Sequence, residues 1–474
     1  MGENRRRAST HRSRGQQDNR RPGRQAQRRT PADAVRRVAF DVLRAVESRD
    51  AYANLLLPRM LREREMSGRD AALATELTYG TLRGLGTYDA ILNLCSDRPV
   101  DRIDPPLRDL LRLGTHQLLR TRIPSHAAVS TSVDLVRSVA GPGQAKFANA
   151  VLRKVATRDL PEWLVIVAPE NDELGRLAVT HSHPKWIVAA LRDAVGAEEI
   201  EDLLAADNER PGVTLVARPG RTTVEDLIGL GAGPAAYSPF AAYLPEGDPG
   251  ELSLVRQGHA GVQDEGSQLV ALALAEAPLE GRDERWLDLC AGPGGKAGVL
   301  GAIADERGPR LLACDAQPHR AELITRAVSA HAGVGVVDGT RPAWRPGAFD
   351  RVLVDVPCSG LGALRRRPES RWRRTPETVA GLGPLQRDLL TTALDSVRPG
   401  GVVAYVTCSP HLAETGAVVD DVLSRRDDVQ RLDAVDVLTG IAPTLTGLGT
   451  GPYAQFWPHR HGTDAMFLAL LRRL

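Results

Sequence analysis

Six short runs dense in β-branched and other apolar residues recur in the second half of the chain, at 286–290, 310–315, 334–337, 351–356, 402–407 and 465–471. Between them lie stretches with apolar residues at helical spacing, chiefly 297–303, 321–331, 384–397 and 414–425. Strand and helix alternating in this way predict a parallel, doubly wound α/β sheet, in which each crossover helix covers one face. Ligands of such sheets bind beyond the carboxyl ends of the strands. The residues that follow each run are therefore the ones to read for chemistry.

The front of the chain has a different period. Residues 31–157 read as all helical. Thr30 can cap, Pro31 suits a first helical position, and Asp33 lies three beyond the cap. Val35, Val38, Ala39, Val42, Leu43 and Val46 then form one apolar stripe. Similar stripes recur at 107–119 and 133–139, and Phe147 to Lys154 belong to the last helix. Residues 158–255 combine a helical stretch at 186–204, a strand at 213–217 and dense Gly and Pro from 218 to 250. They read as a small α+β connector, which leaves 256–474 as the α/β domain.

Charge is uneven. Residues 1–30 hold ten arginines against Glu3 and Asp18, a balance of +8, so a chain of net +2 leaves the remainder at −6. This tail has almost no apolar residues to bury and reads as a disordered arm able to bind phosphates non-specifically, or as a solubilising tail. There is no signal-peptide core and no apolar run near 18 residues, so a cytoplasmic chain without a membrane span is expected. Five widely spaced cysteines without a CxxC fit neither a disulfide framework nor a zinc site, and the histidines show no HxxxH or HExxH spacing. No metal is expected. Nothing demands a partner chain, so a monomer is expected.

Cys290, Ala291, Gly292, Pro293, Gly294, Gly295 and Lys296 form a glycine-rich turn between the first of the six runs and a helix. Such a turn lets backbone approach a ligand closely and aims helix N–H groups at it. Asp315 ends the next run, nineteen residues after Lys296, where a carboxylate can accept hydrogen bonds from both ribose hydroxyls. Asp338, after the third run, could face an adenine amino group or simply cap its loop. The turn is neither GxxxxGK[ST] nor GxGxxG, which disfavours a P-loop and a nicotinamide site. S-adenosylmethionine binds sheets of this kind at the same place, with no diphosphate to cradle.

The segments Asp355-Val356-Pro357-Cys358-Ser359-Gly360 and Thr407-Cys408-Ser409-Pro410 each place a cysteine just past a strand. On neighbouring strands, ~4.8 Å apart, the two sulfurs could share a pocket. Cys290 and Cys314 read instead as small buried hydrophobes. Two thiols and a carboxylate suit covalent chemistry on an electrophilic ring, such as methylation at C5 of cytosine. There a thiolate adds to C6 and makes C5 nucleophilic, an acid near N3 steadies the addition, and a base removes the C5 proton. Asp355 is the candidate near N3.

These segments and the turn together resemble the motifs of the bacterial RNA cytosine-5 methyltransferases. The helical front resembles the NusB-like domain attached to the 16S rRNA member of that family. Residues 263–268, 364–372 and 461–472 add to the likeness, which covers nearly everything after residue 30. It implies a Rossmann-like S-adenosylmethionine-dependent domain, with Cys408 as nucleophile and Cys358 assisting release. It also implies that Cys290 through Lys296, with Asp315, Asp338 and Asp355, line the cofactor site. DNA cytosine-5 methyltransferases use the cysteine of their Pro-Cys motif instead, so spacing alone leaves the two roles open. The chain departs from the pattern at Gly292, where many relatives have alanine, at Ala297, where threonine is common, and at Glu414-Thr415, where Glu-Asn is usual.

The residues at 364–374 include six arginines and Trp372, a set suited to phosphates and an unstacked base. The expected substrate is 16S rRNA. The same chemistry on tRNA, a non-catalytic NusB-like RNA-binding or antitermination factor, and a nicotinamide-dependent dehydrogenase are the alternatives. The cysteine pair argues against a pure binder, and the missing GxGxxG against the dehydrogenase.

Overall fold

A computed structural model describes residues 31–474. The basic tail and the Thr30 cap lie outside the described residues. Seven α-helices, from Pro31–Arg49 to Pro142–Val155, form the front of the chain. The stripe of Val35, Val38, Ala39, Val42, Leu43 and Val46 is buried in their common core, as its spacing predicts. Leu107, Leu110, Leu111 and Leu113 join it from helix Pro105–Arg120. Among the described residues no helix is long and apolar enough to cross a membrane.

Four shorter helices follow. The stretch expected to be helical at 186–204 is two helices, Lys185–Val195 and Ile200–Ala206, separated at Gly196. Strands β1 (Val213–Ala217), β2 (Gly233–Pro234), β3 (Ala241–Leu244) and β4 (Ala260–Val262) then build a small antiparallel sheet in the order β2-β3-β1-β4.

The large sheet contains β5 (Arg285–Asp288), β6 (Arg310–Asp315), β7 (Gly333–Val336), β8 (Phe349–Asp355), β9 (Val397–Thr407), β10 (Val429–Leu432), β11 (Ala454–Gln455) and β12 (Phe467–Arg473). Its order is β10-β12-β9-β8-β5-β6-β7, with β11 paired to β12. β5 to β9 are mutually parallel. Val352, Leu353 and Val354 of β8 and Val403 to Val406 of β9 are buried on both faces, as central parallel strands require. Helices cover each side.

The wholly parallel sheet expected from the alternation is corrected at one edge. β12 runs antiparallel between β9 and β10, with Phe467 beside Thr407. The chain leaves helix Ala434–Ile441 by a long loop and enters β12 at the carboxyl edge, so the strand can only run back. A buried apolar run reads the same in either direction, and the sequence pattern does not register the reversal.

The carboxyl ends of β5, β6, β8 and β9 form one edge, and the chain reverses its order of addition between β5 and β8. That gap is where such sheets hold ligands. Above it lies the arginine-rich segment, and its expected role as an RNA contact is corrected. Arg365 and Arg366 pair with Asp264 and Asp464 at 2.7–3.0 Å. Arg371 is fully buried and donates to Ser182 O, Asp207 O and Asn208 Oδ1. Arg373 donates to the carbonyls of Val46, Asp50 and Ala51, and Glu369 accepts from Ala53 N. Trp372 packs against Gly86 rather than facing solvent. Of the six arginines only Arg367 is exposed, over the Tyr52 ring. The segment is a seam that joins the helical front, the connector and the sheet.

Replacing Arg371 by Met strands three acceptors and the nearby Asp207, whose carboxyl burial already pushes up to about 7. The change should cost about 3 kcal/mol in equilibrium unfolding, whereas Arg367→Met should stay within about 0.5 kcal/mol.

Candidate active site

β5 ends at Asp288 and the chain turns through residues 289–294 into helix Gly295–Arg307. Gly294 has φ 109°, and a Cβ there would lie 2.7 Å from the Ala327 side chain, so only glycine fits. At the neighbouring strand end Asp315 holds the turn. Its Oδ2 accepts from Gly292 N at 3.1 Å, and its Oδ1 accepts from Gln317 N at 2.8 Å. A Cβ on Gly292 would come within 2.4 Å of Asp315 Oδ2, so this residue's departure from the family pattern lets the turn lie directly against the carboxylate. Asp338, two residues past β7, is exposed and turned onto Thr340, accepting from its N and Oγ1 at 3.0 and 2.8 Å. It caps its own loop while standing on the same edge of the sheet.

Three dimensions add a partner to one expected group and reveal another. Lys296, the last residue of the turn sequence, reaches across to β8 and donates to Asp355 Oδ2 at 2.6 Å. Burial pulls the Lys296 ammonium down, but the Asp355 carboxylate more than offsets this and leaves it raised. Asp288 is fully buried with both carboxylate oxygens unpartnered, and burial, with Asp355 nearby, pushes it up to about 8. An acid as the last residue of a strand before a glycine turn is a signal that could have singled out Asp288.

β8 and β9 pair in parallel with Asp355 opposite Val406. The cysteines that follow are thereby brought together, Sγ to Sγ at 3.3 Å, and both are free thiols. Either sulfur can donate across this contact, but the two thiols are unequal. The hydrogen bond to Cys408, with burial behind it, raises Cys358 well above an ordinary thiol. The same hydrogen bond lowers Cys408, helped by Lys296 and Arg367 against burial and Asp355. Both directions favour thiolate at Cys408 over thiolate at Cys358. Burial raises the other two cysteines of the sheet, Cys314 to about 12 and Cys290 well above the usual range, which makes them unreactive as thiols.

The loops carrying the pair are stitched from behind. Ser359 and Ser409, each next to a cysteine, both donate to the buried carboxylate of Glu414. Gly362 N donates to Cys408 O, and Ala465 N to Gly362 O, so the start of β12 braces the same loops. The site thus unites the glycine-rich turn, Asp315, Lys296, Asp355 and both cysteines along adjacent strand ends, with Asp338 at its outer margin.

A glycine-rich turn, an acid on the next strand and a sheet closed by one antiparallel strand define a Rossmann-like methyltransferase. Comparison with known proteins narrows the class. Residues 274–472 match the family model for the 16S rRNA methyltransferases RsmB/F, and residues 33–157 match the NusB family. A Mycobacterium tuberculosis H37Rv protein described as a methyltransferase is 54% identical over 440 residues, covering 91% of this chain and 94% of that one. The ribosomal RNA small subunit methyltransferase B of Salmonella arizonae is 31% identical over 438 residues, covering 90% and 95%. Among solved structures, PH0851 superposes with a TM-score of 0.77 at 21% identity, over 94% of this chain and 99% of its own. NSun6 from Pyrococcus horikoshii, solved with SFG, gives 0.52 at 18% identity over 61% and 98%. The chain belongs to the RsmB/F family of 16S rRNA methyltransferases, and is an RNA methyltransferase using S-adenosylmethionine.

The inequality of the thiols predicts a pH profile. Only thiolate reacts with iodoacetamide, and a lowered pKa moves the midpoint of reactivity to more acidic pH. Peptide mapping after limited alkylation should find Cys408 modified first, with a midpoint below that of an ordinary cysteine. First modification at Cys358, or equal midpoints, would contradict the assignment.

Proposed function

We propose that this chain transfers a methyl group to C5 of a cytosine in 16S rRNA through a covalent adduct between Cys408 and C6. The observation that carries this reading is the thiol pair at 3.3 Å beside the Lys296–Asp355 ion pair.

In this reading the backbone of Cys290, Ala291, Gly292, Pro293, Gly294, Gly295 and Lys296 holds S-adenosylmethionine, with Asp315 aimed at its ribose, Asp338 at its adenine side and Asp355 beside the methyl donor. The residues fit that molecule: Gly292 and Gly294 leave room where side chains would clash, and Asp315 already stands against the turn. When bound, the cofactor supplies an electrophilic methyl on a sulfonium.

The protein's own groups then divide the work. The Cys408 thiolate forms the bond to C6 while the Lys296–Asp355 pair offers a proton to N3, and the C5=C6 electron pair moves so that C5 becomes nucleophilic. Loss of the Cys408 negative charge removes the main cause that held the proton on Cys358. Cys358 can then release that proton to solvent, the one proton the reaction gives off overall, and serve as base. After C5 has taken the methyl, removal of its proton restores C5=C6, breaks the C6–S bond and returns the thiolate to Cys408, while N3 gives back its proton. The target cytosine must be unpaired or extruded, since stacking hides the face that sulfur attacks. The NusB-like helices and the connector select the RNA context.

Cys408→Ala should lower methyl transfer by at least about a thousandfold and form no adduct, whereas Cys358→Ala should accumulate protein–RNA adduct through Cys408. Bisulfite mapping of 16S rRNA and tRNA from cells carrying either variant supplies the substrate. Loss of a 16S rRNA site is expected, and loss of a tRNA site alone would overturn the choice of RNA.

A further inference from the structure

Glu414 closes the short helix Leu412–Glu414 just after the second cysteine loop, and it is 0% exposed. Its carboxylate accepts four hydrogen bonds. Ser359 N donates to Oε1 at 2.7 Å and Gln386 Nε2 to the same oxygen at 3.2 Å. The hydroxyls of Ser359 and Ser409 both donate to Oε2, the latter at 2.6 Å. Tyr405 of β9 fixes the backbone by donating to Glu414 O at 2.8 Å. Gln386 also donates to Pro357 O, and Arg374 to Ser359 O, so the Cys358 loop is held on several sides.

One carboxylate therefore joins the residue after Cys358 to the residue after Cys408. All four donors to it are neutral groups. Holding two loops together needs no charge, and burying one is costly. What the charge can do depends on where it sits. It acts on Cys358, which is also faced by Asp355 and by Cys408 itself. Cys408 is faced by Asp355 too, but on its side stand the cations Lys296 and Arg367. Glu414 and Asp355 raise Cys358, whereas at Cys408 the raising effect of Asp355 is opposed by Lys296 and Arg367.

We propose that Glu414 is a positioning residue, whose carboxylate ties the residue after Cys358 to the residue after Cys408 and so fixes the spacing and orientation of the two sulfurs, with Cys408 set to attack and Cys358 held in reserve. This inference rests on the covalent reading given above and adds a residue that touches neither RNA nor cofactor. Glu414 acts through Ser359 and Ser409 on the sulfurs.

The test uses the full-length protein with Glu414→Gln, which keeps shape and removes charge, and with Ser359→Ala, which removes one hydroxyl donor to Glu414 and keeps the backbone N–H. Thermal melting first establishes that each variant folds. Limited alkylation of the RNA-free protein across pH is then compared with steady-state kinetics. For Glu414→Gln the expected result is labelling of Cys358 alongside Cys408, with kcat reduced about tenfold or more and KM for RNA within about twofold. Ser359→Ala should shift labelling in the same direction by less, and it carries the test if Glu414→Gln does not fold. Wild-type labelling selectivity and kcat in a folded Glu414→Gln would overturn the proposal, and so would a change in KM alone. The alkylation measurement needs no RNA. An adduct that maps to Cys358 in the wild-type protein would sink the covalent reading while leaving the Glu414 result to be judged separately.

Discussion

The site depends on the parallel ladder between β8 and β9. Its register sets Asp355 opposite Val406, and from there each strand has only a few residues left before a cysteine. The two sulfurs arrive 3.3 Å apart because two strand ends are hydrogen-bonded neighbours, not because a loop folds over to meet the other. A slip of one residue would turn every side chain of β9 to the other face and separate the pair. Burial of both strands on both faces makes such a slip costly. The same two strand ends also place Lys296 and Asp355, since β5 lies on the other side of β8.

Around this ladder the protein sorts charge. Glu414 and Asp355 raise Cys358, while Lys296 and Arg367 lower Cys408 against Asp355. Asp288, buried without partners, adds a further acid under the same edge. Arg366, Arg371 and Arg373 work in the other direction, outward from the site. They tie it to the connector and the helical front through Gly212 O, Asn208 and the carbonyls at 46–51, while Arg365 and Arg366 also bind Asp264 and Asp464 and Arg374 holds Ser359 O. The helical front is thereby fastened to the loop that carries a thiol.

Much of this was legible in the residues. The helical stripe at Val35 to Val46, the glycine-rich turn and the two cysteine-bearing strand ends all depend on local pattern, and local pattern is what a sequence displays. The direction of β12 was not legible, because a buried strand carries the same apolar run whichever way it runs. Nor was the fate of the arginines. Six of them beside a tryptophan read as a phosphate-binding loop so long as Asp264, Asp464 and the carbonyls facing them, 98 to 327 residues away in sequence, were not known to be their partners. Glu414 was noted only as half of a departure from the family's Glu-Asn pair. Its importance lies in four donors drawn from three separate segments, a convergence that no spacing encodes.

The central claim is that the thiols have fixed and different roles, and a wild-type trap addresses it directly. RNA carrying 5-fluorocytidine at the target has no removable proton at C5, so an adduct that forms there cannot be resolved. With S-adenosylmethionine present, mass spectrometry of the trapped complex should find the cytosine joined to Cys408, with Cys358 unmodified. A bond to Cys358, or methyl transfer with no covalent complex, would contradict the account.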